Sequence, residues 1–373
     1  MGLTISRQSK TPSFFSPISH DLLLEIVSRL SVEDLARCRC VSKQWASVLR
    51  RRLTNSSTSP RLLFTFHLND KWVFFSAPQP QNPDQNSSLL TAEYHMCFPT
   101  KDCSFGICPP VCGLICNRDR GFMVCNPSTG EYKSLPNPTW MKAELRTFFG
   151  FDPVAKQYKV LCVHFCRNPK PSIQKAKVLT LGIGTLSWRK ILCSRPYDSI
   201  GRFGICISGV LYYGALRSRF QNFMIVCFVL SSEKFEFISP PPMKELLWHT
   251  HLINYKGKLG VLDPMLVFGT TESIELWVLD DAEEGRWSRH IYIFPPIWKD
   301  LVATEDIFRV DGMNCNGDIV LSSYSPSDRF YVLIYNVERN TVTKFTIQGF
   351  GSRKGSGIST FIDHIENLNP IPM

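Results

Sequence analysis

The sequence predicts a mainly β protein with a small N-terminal α module, the β part forming a six-bladed propeller-like domain. Three observations carry that expectation. Apolar residues between positions 18 and 52 follow helical spacing, those beyond position 60 fall into short strand-turn-strand units, and the ends of those units recur at a near-constant interval. A chain of 373 residues with 44% hydrophobic and 20% charged side chains has the composition of a folded globular protein able to bury a large core. Its longest apolar stretch, residues 223–230, falls far short of the ~18 residues that cross a bilayer, and residues 1–15 are too polar for a secretory signal. No transmembrane segment is expected.

Residues 1–15 read as a flexible N-terminus. Their opening, Met1-Gly2-Leu3-Thr4-Ile5-Ser6, fits the N-myristoylation pattern and makes Gly2 a candidate lipidation site, although a single acyl chain gives only marginal, reversible attachment. In the helical module, residues 16–54, Leu22, Leu23, Ile26, Val27 and Leu30 form one broad apolar stripe on a helix of about three turns. Ser31 can cap a second helix that carries Leu35, Ala36 and Cys38 inward, and Ser42 a third that bears Trp45, Val48 and Leu49. Three such helices enclose a thin core, and modules below about 40 residues usually need a metal, a disulfide or a partner. Partner binding is the physical inference.

The run from Ile18 through Asp21, Leu22, Leu23 and Ile26 to Leu30, followed by Leu35 and by Arg37-Cys38-Arg39-Cys40-Val41-Ser42-Lys43-Gln44-Trp45, resembles an F-box in its plant form. That resemblance implies docking on the Skp-type adaptor of a cullin-RING ubiquitin ligase. It places the adaptor contact on Ile18, Leu22, Leu23, Ile26, Leu30, Leu35, Val41 and Trp45, some of which also serve the module's own core. The family usually has Pro where this chain has Ser19 and Ser31. Serine keeps a helix start but loses the ring's rigidity and apolar contact, which weakens docking.

Residues 55–60, Asn-Ser-Ser-Thr-Ser-Pro, have linker composition, and the β domain is expected over 61–366 with a C-terminal tail at 367–373. Residues 78–88 read as a long surface loop. Asn126-Pro127 and Asp152-Pro153 are each followed, after four residues, by Tyr-Lys, a turn that resumes a strand. Stretches 179–191, 226–238, 276–294 and 332–347 each read as strand, polar turn, strand. If Leu135, Ile191, Ile238, Phe294 and Ile347 mark equivalent strand ends, they are 56, 47, 56 and 53 residues apart, the size of a propeller blade. About 305 residues at roughly 50 per unit give six blades. Residues 357–365 should pair with the first unit near 62–75, locking the last sheet to the first. An irregular pair of β-sandwiches is the alternative architecture.

Gly113-Leu114-Ile115-Cys116 before Asn126-Pro127, then Phe149-Gly150-Phe151-Asp152-Pro153 with Tyr158-Lys159-Val160, then Ser187-Trp188-Arg189, resemble the kelch-like F-box-associated domain of plants. In that family the second domain selects the protein to be ubiquitylated.

Charge and cysteine usage bound the partners. The net charge is +10, and residues 1–60 hold nine basic and four acidic side chains, ending in Arg50-Arg51-Arg52. With no reading module and no interleaved stacking aromatics, nucleic acid is not an expected partner. Fourteen cysteines without a signal peptide read as reduced thiols of a cytoplasmic and/or nuclear protein. The groups Cys103/Cys108/Cys112/Cys116 and Cys162/His164/Cys166 lack paired zinc spacing and read as core residues.

Catalytic patterns do not assemble. No Gly-x-Ser-x-Gly occurs and the eight histidines are scattered. Residues 349–357 have Lys before Gly rather than Gly-Lys-Ser/Thr opening a helix, so they read as a flexible basic loop, and residues 280–284 read as an acidic hairpin tip. The expectation is a receptor without catalytic residues or cofactors. It docks on a Skp-type adaptor through the F-box and binds a target protein through the β domain. A non-ubiquitylating adaptor-binding scaffold or regulator is the alternative.

Overall fold

The computed structural model describes residues 59–81, 89–100, 107–118, 121–138, 144–165, 174–182, 184–193, 195, 197, 199–217, 222–243, 251–324, 329–350 and 357–373, with Leu22, Glu25 and Ile26 near the N-terminus. The chain divides into two compact units, Met1–Ser57 and Thr58–Met373. Of the first unit, Leu22, Glu25 and Ile26 are helical, and its other residues, like 55–58 of the expected linker, lie outside the described residues.

The second unit is a ring of six sheets. Blade 3 shows the plan, with Glu144–Asp152, Gln157–Phe165, Gln174–Thr180 and Arg189–Cys193 each antiparallel to the next, in chain order from the inside of the ring outward. Blade 4 repeats it with Ser199–Ile207, Val210–Arg217, Asn222–Val229 and Lys234–Ile238, and blade 5 with His251–Tyr255, Lys258–Asp263, Ser273–Asp281 and Arg286–Ile293. Blade 6 uses Ile307–Met313, Ile319–Ser323, Phe330–Asn336 and Thr341–Gln348. Among the described residues blade 2 is thinner, with Ile115–Arg118, Phe122–Asn126 and Glu131–Leu135 as its sheet and a bridge from Ile107 to Asn117 at the position of an inner strand. The six sheets rule out the sandwich alternative. Leu135 and Ile238 end the fourth strands of their blades and Ile191 and Ile347 lie within theirs, while Phe294 directly follows the fourth strand of blade 5. The interval read from the sequence is therefore the blade repeat.

Six clusters of buried side chains fill the six spaces between neighbouring blades. Both faces of an inner strand are therefore covered, which is why Arg61–Leu68 and Ile319–Ser323 read as continuous apolar runs rather than alternating ones. Outer strands have one face in solvent and alternate, as in Glu131–Leu135 and Lys234–Ile238.

Closure is double. Ser359–His364 pairs antiparallel with Arg61–Leu68, supplying the innermost strand of blade 1, whose other strands are Lys71–Pro78 and Glu93–Pro99. Leu89–Thr91 leaves blade 1 and runs parallel to the outer strand of blade 6, with Ala92 N–H donating to Gln348 O at 2.7 Å. The expected 78–88 surface loop is thus followed by a clasp; its residues 82–88 lie outside the described residues.

Residues 367–373, expected as a tail beyond the β domain, are instead a strap across blade 2. Asn126 Nδ2 donates to Asn367 O (2.7 Å) and Asn369 O (3.0 Å), Lys133 Nζ donates to Ile371 O (3.2 Å), and Asn367 Nδ2 donates to Cys112 O (2.9 Å). Leu368 and Ile371 are buried, Ile371 in the cluster between blades 2 and 3. Gly113, at φ +80°, lies where a Cβ would run into Asn367.

The two Asx-Pro motifs are not equivalent repeats. Asn126-Pro127 joins the third and fourth strands of blade 2, whereas Asp152-Pro153 joins the first and second strands of blade 3. They share chemistry instead, since each Tyr-Lys lysine ties its blade to a neighbouring segment. Lys133 holds the strap, and Lys159 donates to Leu230 O (2.6 Å) and Glu233 Oε1 (2.9 Å) of blade 4, with Asp152 at 3.6 Å. Lys159→Ala strands the buried Asp152 carboxylate, so chemical denaturation should show a loss of about 3 kcal/mol. An unchanged midpoint would refute the inter-blade lock.

Of the tested cysteines, Cys108, Cys116 and Cys162 are buried, but Cys112 is exposed at φ +47°, correcting its expected place in the core. It opens a two-residue turn with Gly113, and in such turns both residues need positive φ. Cys103 and Cys166 lie outside the described residues.

Candidate functional site

Two places in the described structure offer binding surface. The first is the pair Leu22 and Ile26, helical, one turn apart and 54% and 37% exposed. Spacing of i and i+4 puts both on one helix face. The other adaptor-contact residues expected from the sequence, Ile18, Leu23, Leu30, Leu35, Val41 and Trp45, and the candidate lipidation site Gly2, lie outside the described residues.

The second is one end of the ring. Connectivity sends turns between first and second strands, and between third and fourth, to one end. In blades 4 and 5 these are tight: Ser208-Gly209 and Lys256-Gly257 have the paired positive φ values of two-residue hairpins. The acidic stretch 280–284 is such a tip, with Asp281 Oδ1 accepting from the backbone N–H of Glu283 (2.9 Å) and Glu284 (3.0 Å). The opposite end receives the connections between second and third strands and between blades, and in blades 3, 5 and 6 these are longer. Long loops on a rigid scaffold are where binding residues concentrate.

On that loop end blades 5 and 6 contribute two long described segments. Leu266–Phe268 leaves blade 5 and pairs with the innermost strand of blade 6, matching Phe268 to Ile307. The connection from blade 5 to blade 6 makes one helical turn, Trp298–Leu301, anchored by Trp298, which stacks on Phe294 at 4.2 Å and donates Nε1–H to Gly269 O at 3.1 Å. Gly269 lies so close to the Ala303 carbonyl that no side chain fits there. The two segments are thereby locked into one platform.

Titratable groups gather at two places. On the innermost strands of blades 5 and 6, Arg309 donates from Nε (3.0 Å) and from its terminal nitrogen (2.8 Å) to Asp311 Oδ1, and to Ile358 O at 3.1 Å. Burial pushes the Asp311 carboxyl up, against the pull of Arg309, and burial with the Arg309 charge lowers His251 to about 4. In blade 1, Arg61 Nε donates to Ser76 Oγ (2.6 Å), and Ser76 Oγ in turn lies 2.7 Å from His95 Nε2. A serine beside a histidine suggests a nucleophile and its base, but this Ser76 is fully buried in mid-strand and its oxygen is already occupied by the guanidinium. Burial and Arg61 hold His95 at about 4, and burial, His95 and Arg61 hold His364 at about 3. Both imidazoles are neutral, and the cluster knits three strands of blade 1 together.

Sequence reasoning missed the blade 5/6 platform, although one signal for it was present. Residues 264–272 and 294–306 carry four acidic side chains and one basic in a chain of net +10. The basic loop 349–357 begins on Phe350, which packs edge-on against Phe64 and Phe75 at 5.4 and 5.3 Å, while residues 351–356 lie outside the described residues. Among the described residues no helix is long and apolar enough to cross a membrane.

Comparison with known proteins agrees with this architecture. The sequence matches the F-box domain over residues 15–56 and the F-box associated beta propeller domain over residues 61–365. It is 41% identical over 370 residues to F-box protein At3g49450 of Arabidopsis thaliana, covering 94% of this chain and 91% of that protein. To F-box protein DOR of the same plant it is 42% identical over 380 residues, covering 96% and 95%. F-box protein At5g65850, also from Arabidopsis thaliana, is 39% identical over 392 residues, with 98% and 95% covered. An F-box followed by a ring of six blades that its own C-terminal strand closes, shared along nearly the full length of these relatives, makes this chain a member of the plant F-box proteins with an F-box-associated β-propeller.

Proposed function

We propose that the chain is the substrate-recognition subunit of an SCF-type cullin-RING ubiquitin ligase. The F-box docks on a Skp-type adaptor, and the propeller binds a target protein. One observation carries this reading: an F-box match stands directly before a propeller match, and together they span residues 15–365. Exposed Leu22 and Ile26 on one helix face support the adaptor half, because apolar residues displayed at helical spacing suit a groove on a partner. The subunit contributes no acid, base or nucleophile. It accelerates transfer by proximity, raising the effective concentration of a target lysine near the charged ubiquitin carrier. Its place of action is the cytoplasm and/or the nucleus, where thiols stay reduced.

Calorimetry with a Skp-type adaptor tests the adaptor half. Wild type should bind with submicromolar affinity. A Leu22→Asp, Trp45→Ala variant whose β domain still folds by circular dichroism should lose at least 100-fold. A folded wild-type chain that does not bind would overturn the reading. The scaffold alternative rests on Ser19 and Ser31. It predicts adaptor binding without accumulation of bound targets when the proteasome is inhibited.

A further inference from the structure

We infer that the loop end of blades 5 and 6 is the target-docking surface, and that it takes an extended basic segment of a target protein bearing an aromatic or large aliphatic anchor. The inference rests on the receptor reading and adds the chemistry of the partner. Phe268, Ile307 and Tyr324 form a row across three adjacent strand ends. Phe268 is matched to Ile307, and Tyr324 N–H donates to Ile307 O at 2.9 Å, continuing the register that matches Phe308 to Ser323. Directly opposed residues share a sheet face, so the three side chains stand side by side. Phe268 is 45% and Tyr324 47% exposed, with Ile307 half-buried between them. Two aromatic side chains set in water beside an aliphatic one suit the anchor of a binding partner.

Carboxylates flank this row. Glu305 and Asp306 immediately precede Ile307, and Asp306 O accepts from Gly269 N–H (3.1 Å), which holds them beside Phe268. Exposed Glu272 follows the turn in which Thr271 N–H donates to Phe268 O at 2.9 Å. Asp306 Oδ2 accepts from Ala303 N–H at 3.0 Å, and the Glu305 carboxyl lies below its usual range through its own backbone N–H and the Thr304 hydroxyl. Arg309, two residues along the strand from Ile307, is neutralised by Asp311. The two segments of the platform, residues 264–272 and 294–306, carry four acidic side chains (Glu272, Asp300, Glu305 and Asp306) against one basic, Lys299, in a chain of net +10. An acidic, aromatic platform in an otherwise basic molecule attracts cationic peptide and repels phosphate, which excludes nucleic acid from this face. The platform is also preformed, through Trp298 and Gly269, so little ordering opposes binding.

The test is selection from a random nonapeptide phage library on the full chain bound to its Skp-type adaptor. Enriched peptides should combine two or more Lys/Arg with a Phe, Tyr, Leu or Ile. Synthetic copies should bind at least tenfold more weakly to Phe268→Ser and to a Glu272→Lys, Glu305→Lys variant, each with unchanged melting temperature, and should weaken as salt is raised. Enrichment of acidic or neutral peptides, no enrichment, or binding indifferent to both variants overturns the inference. If sedimentation shows concentration-dependent self-association that the same variants abolish, a second copy of the chain occupies the face and the inference also falls. Adaptor affinity is read on the same samples. Its absence sinks the receptor reading, whereas its presence without selected peptides sinks only this assignment.

Discussion

Removing residues 357–373 is expected to abolish cooperative folding of the β domain. That segment supplies the innermost strand of blade 1, with Leu63 opposite Phe361 and Thr65 opposite Ser359, and without it the edge of Arg61–Leu68 is open. Ile358, 1% exposed, leaves the cluster between blades 6 and 1, and Gln79 loses its two bonds to Asp363 at 2.7 and 2.9 Å. An open edge of β structure with exposed core invites aggregation rather than a smaller fold. Calorimetry should show no cooperative unfolding transition. Removing only residues 367–373 is a milder test, because it strips the strap but leaves the closing strand. Leu368 and Ile371 return to water and the buried Asn126 amide loses both of its acceptors, so the Tm should drop by about 5 °C. Wild-type melting of either truncation would show that the C-terminal segment does not hold the ring.

Acidification from pH 7.5 to 5 should destabilise the β domain far more than its surface charges would. His95 and His251 are held at about 4 and His364 at about 3, against 6.5 for an unhindered imidazole. Burial is the first cause in each case, with Arg61 beside the blade 1 pair and Arg309 beside His251. Folded pKa values below the unfolded value mean that the unfolded chain binds protons first. The stability these histidines permit is complete above pH 6.5 and falls as pH drops toward 4 and then 3. At pH 5 each contributes a loss of about 2 kcal/mol, so up to about 6 kcal/mol for the three. Glu233, whose carboxyl is lowered first by the Arg189 hydrogen bond, adds its loss only below its ordinary range near 4.5, outside this window. Urea midpoints measured from pH 7.5 to 5 should fall steeply. The slope should shrink by about two thirds in a His95→Gln, His364→Gln variant. A flat profile for the wild type contradicts neutral, buried imidazoles.

How far the fold could be read from the sequence depended on which physical constraint each element answers to. The blade interval was legible because the outer strands of blades 2, 3, 4 and 6 carry, at or near their ends, an apolar residue that packs into the core, at Leu135, Ile191, Ile238 and Ile347. The closing strand was legible because a ring must pair its ends. Its matching of Arg61 to His364 was not, since register depends on both partners. The clasp Leu89–Thr91 was missed because three residues behind a polar stretch carry no periodicity. The strap was missed for a similar reason: Asn367, Asn369 and Pro370 look like a loose end until Asn126 and Lys133 arrive to bind their carbonyls.

The site divides along the same line. The pair proposed to meet the adaptor, Leu22 and Ile26, answers to i, i+4 spacing alone, which is written in one short stretch of sequence. The propeller platform joins Phe268, Ile307 and Tyr324 from three separate strand ends, and only the pairing of Leu266–Phe268 with blade 6 brings them into one row. By itself the sequence determined the class of the protein, its two parts and the number of blades, because composition, periodicity and strand-end spacing are local quantities. Tertiary structure alone decided which carboxylates face which aromatics, which histidines are held neutral and what the last seven residues do, because each depends on contacts between residues far apart in the chain.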